Sequence, residues 1–220
     1  MDLRENVTGR VELARRGFDV EATDPVEAML ELGRQRASGE TIAGRVRFSL
    51  GDVHALGFAG GTFKLVVGLG VLPWIDRPEA ALAQIARVLA PGGRLIVSIN
   101  NRAPLHAVAD PARLPVLVPL RDGLRRVLAT LRPQSQPPPS RPIGFARPAD
   151  LARQLDAVGL RLVRSQAFGF GPFTILGRQM LPDRIGVELE RRLQRRAERT
   201  NPFLDAAAAQ YLVLAQRAAD

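Results

Sequence analysis

Phe63-Lys64-Leu65-Val66-Val67-Gly68-Leu69-Gly70-Val71-Leu72 is a nearly continuous apolar run, the pattern of a parallel strand buried on both faces. Downstream, Pro78 to Leu89 sets Leu82, Ile85, Ala86 and Leu89 on one side of a helix. Pro91-Gly92-Gly93 breaks that helix, and Arg94-Leu95-Ile96-Val97-Ser98-Ile99 reads as the next strand. Strand, helix and strand joined by short loops predict a right-handed crossover and an α/β sheet.

The same alternation extends outward. Toward the N-terminus, Val11 to Arg16 reads as the end of a helix closed by Gly17, and Phe18 to Thr23 as a short strand. Asp24-Pro25 then places a capping aspartate and a first-turn proline before a helix from Val26 to Ala37, with Met29, Leu30 and Gly33 at helical spacing. Arg45 to Leu50 is another strand, turning Val46 and Phe48 inward and ending at Gly51-Asp52. Toward the C-terminus, residues 104–142 are rich in proline and arginine, yet Leu117, Leu120, Leu124, Val127, Leu128 and Leu131 share one helical face. Beyond them come a helix from Pro148 to Val158 and a strand from Leu160 to Phe168. A basic amphipathic helix from Ile185 to Arg196 and a final strand from Ala208 to Gln216 complete the chain.

The 220 residues include no cysteine, which excludes disulfides, thiolate metal sites and a cysteine nucleophile. No motif supports a metal site. No apolar run approaches the roughly 20 residues that span a bilayer, and Met1 to Glu5 lacks the apolar region of a signal peptide. A soluble cytoplasmic protein is the expectation. The formal charge of +9 is unevenly distributed: residues 1–110 carry 13 basic and 13 acidic groups, whereas residues 111–220 carry 18 arginines against 9 acids. That half attracts anions in general. With aromatic residues at only 5% and no recognition module, specific nucleic-acid binding is not expected. Peripheral membrane contact through the basic amphipathic helices is compatible with the pattern.

In an open parallel sheet, ligands bind beyond the carboxyl ends of the strands. Two acids fall there. Asp24 is placed to accept hydrogen bonds from a ribose diol, or simply to cap its helix. Asp52 is placed to accept from an exocyclic amine while a neighbouring backbone N–H meets a ring nitrogen, or simply to make a turn.

Order and spacing join these signals. Gly17 to Val20 with Asp24-Pro25, Gly51 to Phe58, Gly61 to Val67, Val71 to Ile75, and Arg87 to Arg94 together resemble the class I S-adenosylmethionine-dependent methyltransferases, in their small-molecule branch. The resemblance is firm over residues 8–100 and looser over 143–171 and 208–216. It implies a Rossmann-like, doubly wound, mostly parallel sheet with helices on both faces, an antiparallel final strand and a helical lid insertion. Residues 1–100 would be the cofactor half, 101–146 the lid and acceptor insertion, and 147–220 the second half of the sheet. S-adenosylmethionine would be the cofactor and a small or lipid-like molecule the acceptor. By the same resemblance Asp24 would hold the ribose and Asp52 the adenine amine, with Val53 adding a backbone contact and ring packing. Gly68, Leu69 and Gly70 would line the methionine portion, and Trp74 would lie near the methyl group or acceptor. Leu124 and Leu128 would cover the acceptor from the lid.

Departures from the pattern matter. The family opens with a strand and a GxGxG-type loop, where glycines let the backbone approach the cofactor. Here the corresponding stretch is Asp2 to Arg10; only Thr8-Gly9 matches, at the loop's end, so Gly9 is the one loop residue carried over. Either the chain begins inside the domain or cofactor binding is degraded, and weak binding is the expectation. Lys64 stands where the family usually has aspartate. Of two histidines, His54 is expected to be structural or solvated, while His106, at the start of the lid, is the candidate general base. The alternatives to an active methyltransferase are a non-catalytic relative and, less favoured, a nucleic-acid methyltransferase.

Overall fold

The computed structural model describes residues 12–38, 44–101, 148–170, 174–175, 178–179, 183–197 and 207–219. Gly9, His106, Leu124, Leu128 and the whole row from Leu117 to Leu131 lie outside the described residues.

The chain alternates as its pattern predicts. After a helical turn over residues 12–15 come β1 (Val20–Asp24), α1 (Glu27–Ser38), β2 (Val46–Leu50), β3 (Phe63–Gly68), a 3-10 turn (Leu72–Trp74), α2 (Pro78–Val88) and β4 (Leu89–Asn100). These are followed by α3 (Pro148–Ala157), β5 (Leu160–Phe168), the two-residue strands β6 (Thr174–Ile175) and β7 (Arg178–Gln179), α4 (Asp183–Ala197) and β8 (Gln210–Arg217).

β3, β4, β8 and β5 form one sheet in that order. β4 runs parallel to β3, and β8 lies antiparallel between β4 and β5, so three strands share a direction and only the last element opposes them. The expected topology of parallel strands with a reversed final strand is present. β3 and β4 of the first segment and β5 and β8 of the last therefore share one sheet and one core. Leu82 and Ile85 of α2, Leu95, Val97 and Ile99 of β4, Leu151 and Leu155 of α3, and Tyr211, Val213 and Ala215 of β8 are buried together. β1 and β2 pair parallel as a separate two-stranded sheet, with Asp24 opposite Leu50. Ala14, Ala22 and Val46 are buried beneath it, with Val20 and Phe48 alongside. Gly33 of α1 is required there, because a Cβ would stand 2.5 Å from the Phe48 ring.

Three local expectations need correction. The apolar run from Phe63 is a strand only to Gly68; Leu72 belongs to the 3-10 turn, and Val67 and Leu69 are each 40% exposed rather than buried on both faces. β3 is the edge strand of its sheet among the described residues, so one flank lacks a covering neighbour. Pro91-Gly92-Gly93 does not separate helix from strand but lies inside β4, where the β3–β4 register shifts between Phe63 and Leu65. Gly92 takes φ +72°, and a Cβ on Gly93 would stand 2.7 Å from the Ala90 carbonyl oxygen, so glycine is what lets the strand absorb the irregularity. Finally, α1 starts at Glu27, past Pro25: Asp24 Oδ1 accepts the Val26 N–H at 3.0 Å, a turn that leads into the helix.

Arg217 ties the last strand to the first half. Its guanidinium donates to the carbonyls of Ala86 (3.0 Å) and Leu89 (2.6 Å), acceptors left over at the C-terminus of α2.

Candidate cofactor site at the strand ends

β1 and β2 stop side by side, and each delivers a carboxylate at or just past its end. Asp24 is the last residue of β1, and its carbonyl accepts the Gly51 N–H at 3.2 Å, so the two chain exits stay together. Gly51 is fixed by that approach: a Cβ there would stand 2.6 Å from Thr23 Cγ2. Asp52 follows at once. The turn it opens is anchored to the larger core, because Val53 and Leu56 pack against it. Arg87 of α2 holds the far side of the same turn, donating to the carbonyls of Leu56 (2.6 Å) and Phe58 (2.7 Å). The small sheet's exit loop is thereby pinned to the large sheet's helix.

Asp52 is exposed and held in place by its neighbour. Its Oδ1 accepts the backbone N–H of His54 at 2.9 Å and pairs with His54 Nδ1 at 2.8 Å. These two bonds, the backbone one first, hold its carboxyl below the usual carboxylate range, with the positive charge of Arg77 adding to the effect. Of the two roles expected for His54, structural or solvated, the structural one holds: its side chain is only 18% exposed, against 62% for Asp52.

The third element of the site is the end of β3. Gly68 closes the strand, and Gly70 takes φ +68° and donates its N–H to Ser98 Oγ at 2.7 Å. Ser98 is buried in β4, so the parallel neighbour fixes the Gly68-Leu69-Gly70 turn from inside the core. Leu69 and Trp74 are 40% and 48% exposed, the latter closing the 3-10 turn. The Ser98–Gly70 and His54–Asp52 contacts at the candidate site are the ones that sequence reasoning missed. The i,i+2 spacing of Asp52 and His54 is the only signal that pointed to either. Among the described residues no cluster of His, Asp and Glu is placed to hold a metal ion, and no helix is long and apolar enough to cross a membrane.

Comparison with known proteins agrees with the fold. Residues 8–97, about two fifths of the chain, match the family described as methyltransferase domain, and the fold is the Rossmann-like one of solved methyltransferases. Among solved structures, the chain is similar to a SAM-dependent methyltransferase from Methanosarcina mazei (TM-score 0.56, 14% identity, covering 96% of this chain and 87% of that one). It is similar also to the [4+2]-cyclase SpnF (TM-score 0.58, 16% identity, 96% and 70% covered). At those identities the likeness is one of fold, and a cyclase and a methyltransferase sharing it show that the fold alone does not fix the reaction.

Sequence relatives are more particular. The chain is 40% identical over 89 residues to the ubiquinone/menaquinone biosynthesis C-methyltransferase UbiE of Cereibacter sphaeroides, a match covering 40% of this chain and 35% of that protein. It is 35% identical over 101 residues to the demethylmenaquinone methyltransferase of Clavibacter sepedonicus, covering 46% and 40%. The matches thus span between a third and two fifths of those relatives' length.

Proposed function

We propose that the chain binds S-adenosylmethionine and methylates a small, lipid-like acceptor of the quinone class. One observation carries the reading: two carboxylates, Asp24 and Asp52, stand at the carboxyl ends of adjacent parallel strands. Those strands lie within the stretch that matches the methyltransferase domain. The donor chemistry fits the cofactor. Asp24 suits a vicinal diol, which offers two O–H donors to one carboxylate. Asp52 suits an exocyclic amine, and the Val53 backbone a ring nitrogen. The Gly68-Leu69-Gly70 turn carries no bulky side chain at two of its three positions, so the main chain can approach the methionine portion, as Gly9 would on the loop side.

The bound cofactor supplies a methyl group already activated on a sulfonium sulfur. The chain's own share is to position and to exclude water, which is most of what an in-line displacement requires. Ser98 holds Gly70, and Gly70 sets the turn that orients the donor. Trp74, with Leu124 and Leu128 of the 101–146 insertion, forms the acceptor side, and His106 takes the acceptor's proton. α4 adds a surface for the membrane in which such an acceptor dissolves. Its Ile185 and Val187 are exposed beside Arg191, Arg192, Arg195 and Arg196. A cytoplasmic location belongs to the same reading.

The test is transfer of labelled methyl from S-adenosylmethionine to a demethylated quinone presented in vesicles. Label in the quinone, reduced by His106→Ala and by Trp74→Ala, supports the proposal. Cofactor binding with no transfer to any quinone tried would favour a non-catalytic relative, a reading motivated by the sparse glycines of residues 2–10.

A further inference from the structure

Asp52 Oδ1 is satisfied twice by one residue, through the His54 backbone N–H at 2.9 Å and the imidazole Nδ1 at 2.8 Å. Among the described residues its second oxygen accepts no hydrogen bond, and the side chain is 62% exposed. Two bonds to a single oxygen fix the plane of a carboxylate, because rotation that exchanged the oxygens would break both. The other face of the imidazole is equally informative: His54 Nε2 is buried and, among the described residues, has no hydrogen-bond partner. A proton on Nε2 would bury an unpaired N–H and set the bare Nδ1 against a carboxylate oxygen. A proton on Nδ1 leaves only an under-satisfied lone pair, the cheaper arrangement. The packing therefore selects the Nδ1–H tautomer and makes His54 a donor aimed at Asp52.

We propose that His54 is a positioning residue for purine recognition. By clamping one oxygen of Asp52 it presents the other as a fixed acceptor, which selects a 6-amino over a 6-oxo purine on the cofactor. This rests on the cofactor reading above and deepens it. An amine at that position donates to the outward oxygen. A carbonyl there would set two acceptors together, and a site built to accept rejects such a ligand strongly. Without the clamp, Asp52 can rotate or swing away, and discrimination weakens more than overall binding does.

Calorimetry on the full chain with S-adenosylhomocysteine and its deaminated analogue S-inosylhomocysteine reads this directly. The wild type should prefer the adenosyl ligand, and His54→Ala should reduce the preference about five- to tenfold while changing inosyl affinity little. His54→Asn, whose amide N–H can stand in for Nδ1–H, should restore most of the preference and controls for misfolding of the alanine variant. The imidazole nitrogen shifts of the ligand-free protein should show the Nδ1–H tautomer. An unchanged adenosyl-to-inosyl ratio in His54→Ala, or an Nε2–H imidazole, would overturn the clamp and leave the cofactor reading intact. Failure of the wild type to bind either ligand would overturn both.

Discussion

The two sheets that carry the proposed site are unequal in packing. The four-stranded sheet is packed by α2 and α3 around Leu82, Leu95, Val97, Leu151, Leu155 and Val213, all fully buried. The β1–β2 pair rests on α1 and on a small cluster centred on Ala14, Ala22 and Val46, two of them alanines. Burial of apolar area is the main source of stability, and alanine contributes little of it. The carboxylate assigned to the ribose thus stands on the less strongly packed sheet, and Asp52 on the turn that links it to the other. Recognition and rigidity are divided: the large sheet supplies the frame, and the small one supplies the acids.

The largest expected effect is in the frame. Leu95→Ala removes a fully buried side chain from β4 and should cost about 2–5 kcal/mol of global stability, read by denaturant unfolding. Val46→Ala in β2 should cost about 1–2 kcal/mol. Its effect should be concentrated in faster amide exchange of β1 and β2, with β4 and β8 amides little changed. Equal acceleration across both sheets would mean that they unfold as one unit and would remove the distinction.

Next comes the tie between halves. Arg217→Met deletes the donor to the Ala86 and Leu89 carbonyls but keeps most of the stem. It should lower stability by about 1–2 kcal/mol, the scale of a charge-assisted hydrogen bond at a helix C-terminus. Amide exchange should quicken in the last turn of α2 and leave β1 and β2 alone.

The smallest effect concerns Asp52. Its carboxyl sits below the ordinary value of 3.8, chiefly through the His54 N–H and then the imidazole. A carboxyl depressed by folding stabilises the fold above its unfolded value, and that contribution is lost as pH falls through the folded value. Carboxyl carbon NMR should place the Asp52 midpoint below that of an unstructured peptide. His54→Ala should raise it only in part, since the backbone donor remains. An Asp52 midpoint at or above the peptide value would contradict the geometry of the turn.

These contrasts also show what a sequence reader can and cannot see. Strand ends are legible, because a run of β-formers closing on Asp24 or on Gly51-Asp52 declares both an element and the residue that follows it. That β3 and β4 run parallel was legible too, from a helix of crossover length, whereas the reversed last strand was implied only by the resemblance to the methyltransferases. The separation of β1 and β2 from the four-stranded sheet was not legible, because pairing is non-local and the alternation of Phe18 to Thr23 says nothing about its neighbour. Pro91-Gly92-Gly93 misled for a physical reason: the residues that break a helix also make a bulge, and only the register with Phe63 and Leu65 separates the two. Ser98 was hidden by lying 28 positions from Gly70, whose N–H it accepts. His54 was hidden because a two-residue contact depends on a turn whose shape Val53 and Leu56 set by packing elsewhere.

The central claim, that the strand-end acids make a cofactor site, is tested most directly by equilibrium binding of S-adenosylhomocysteine to the wild type and to Asp24→Ala. The account predicts measurable, weak binding by the wild type and a loss of about 1.5–3 kcal/mol in the variant, roughly tenfold to more than a hundredfold. Differential scanning should show the variant still folding cooperatively, with a modest loss that includes the Val26 N–H contact. Equal affinity of the two proteins would contradict the claim.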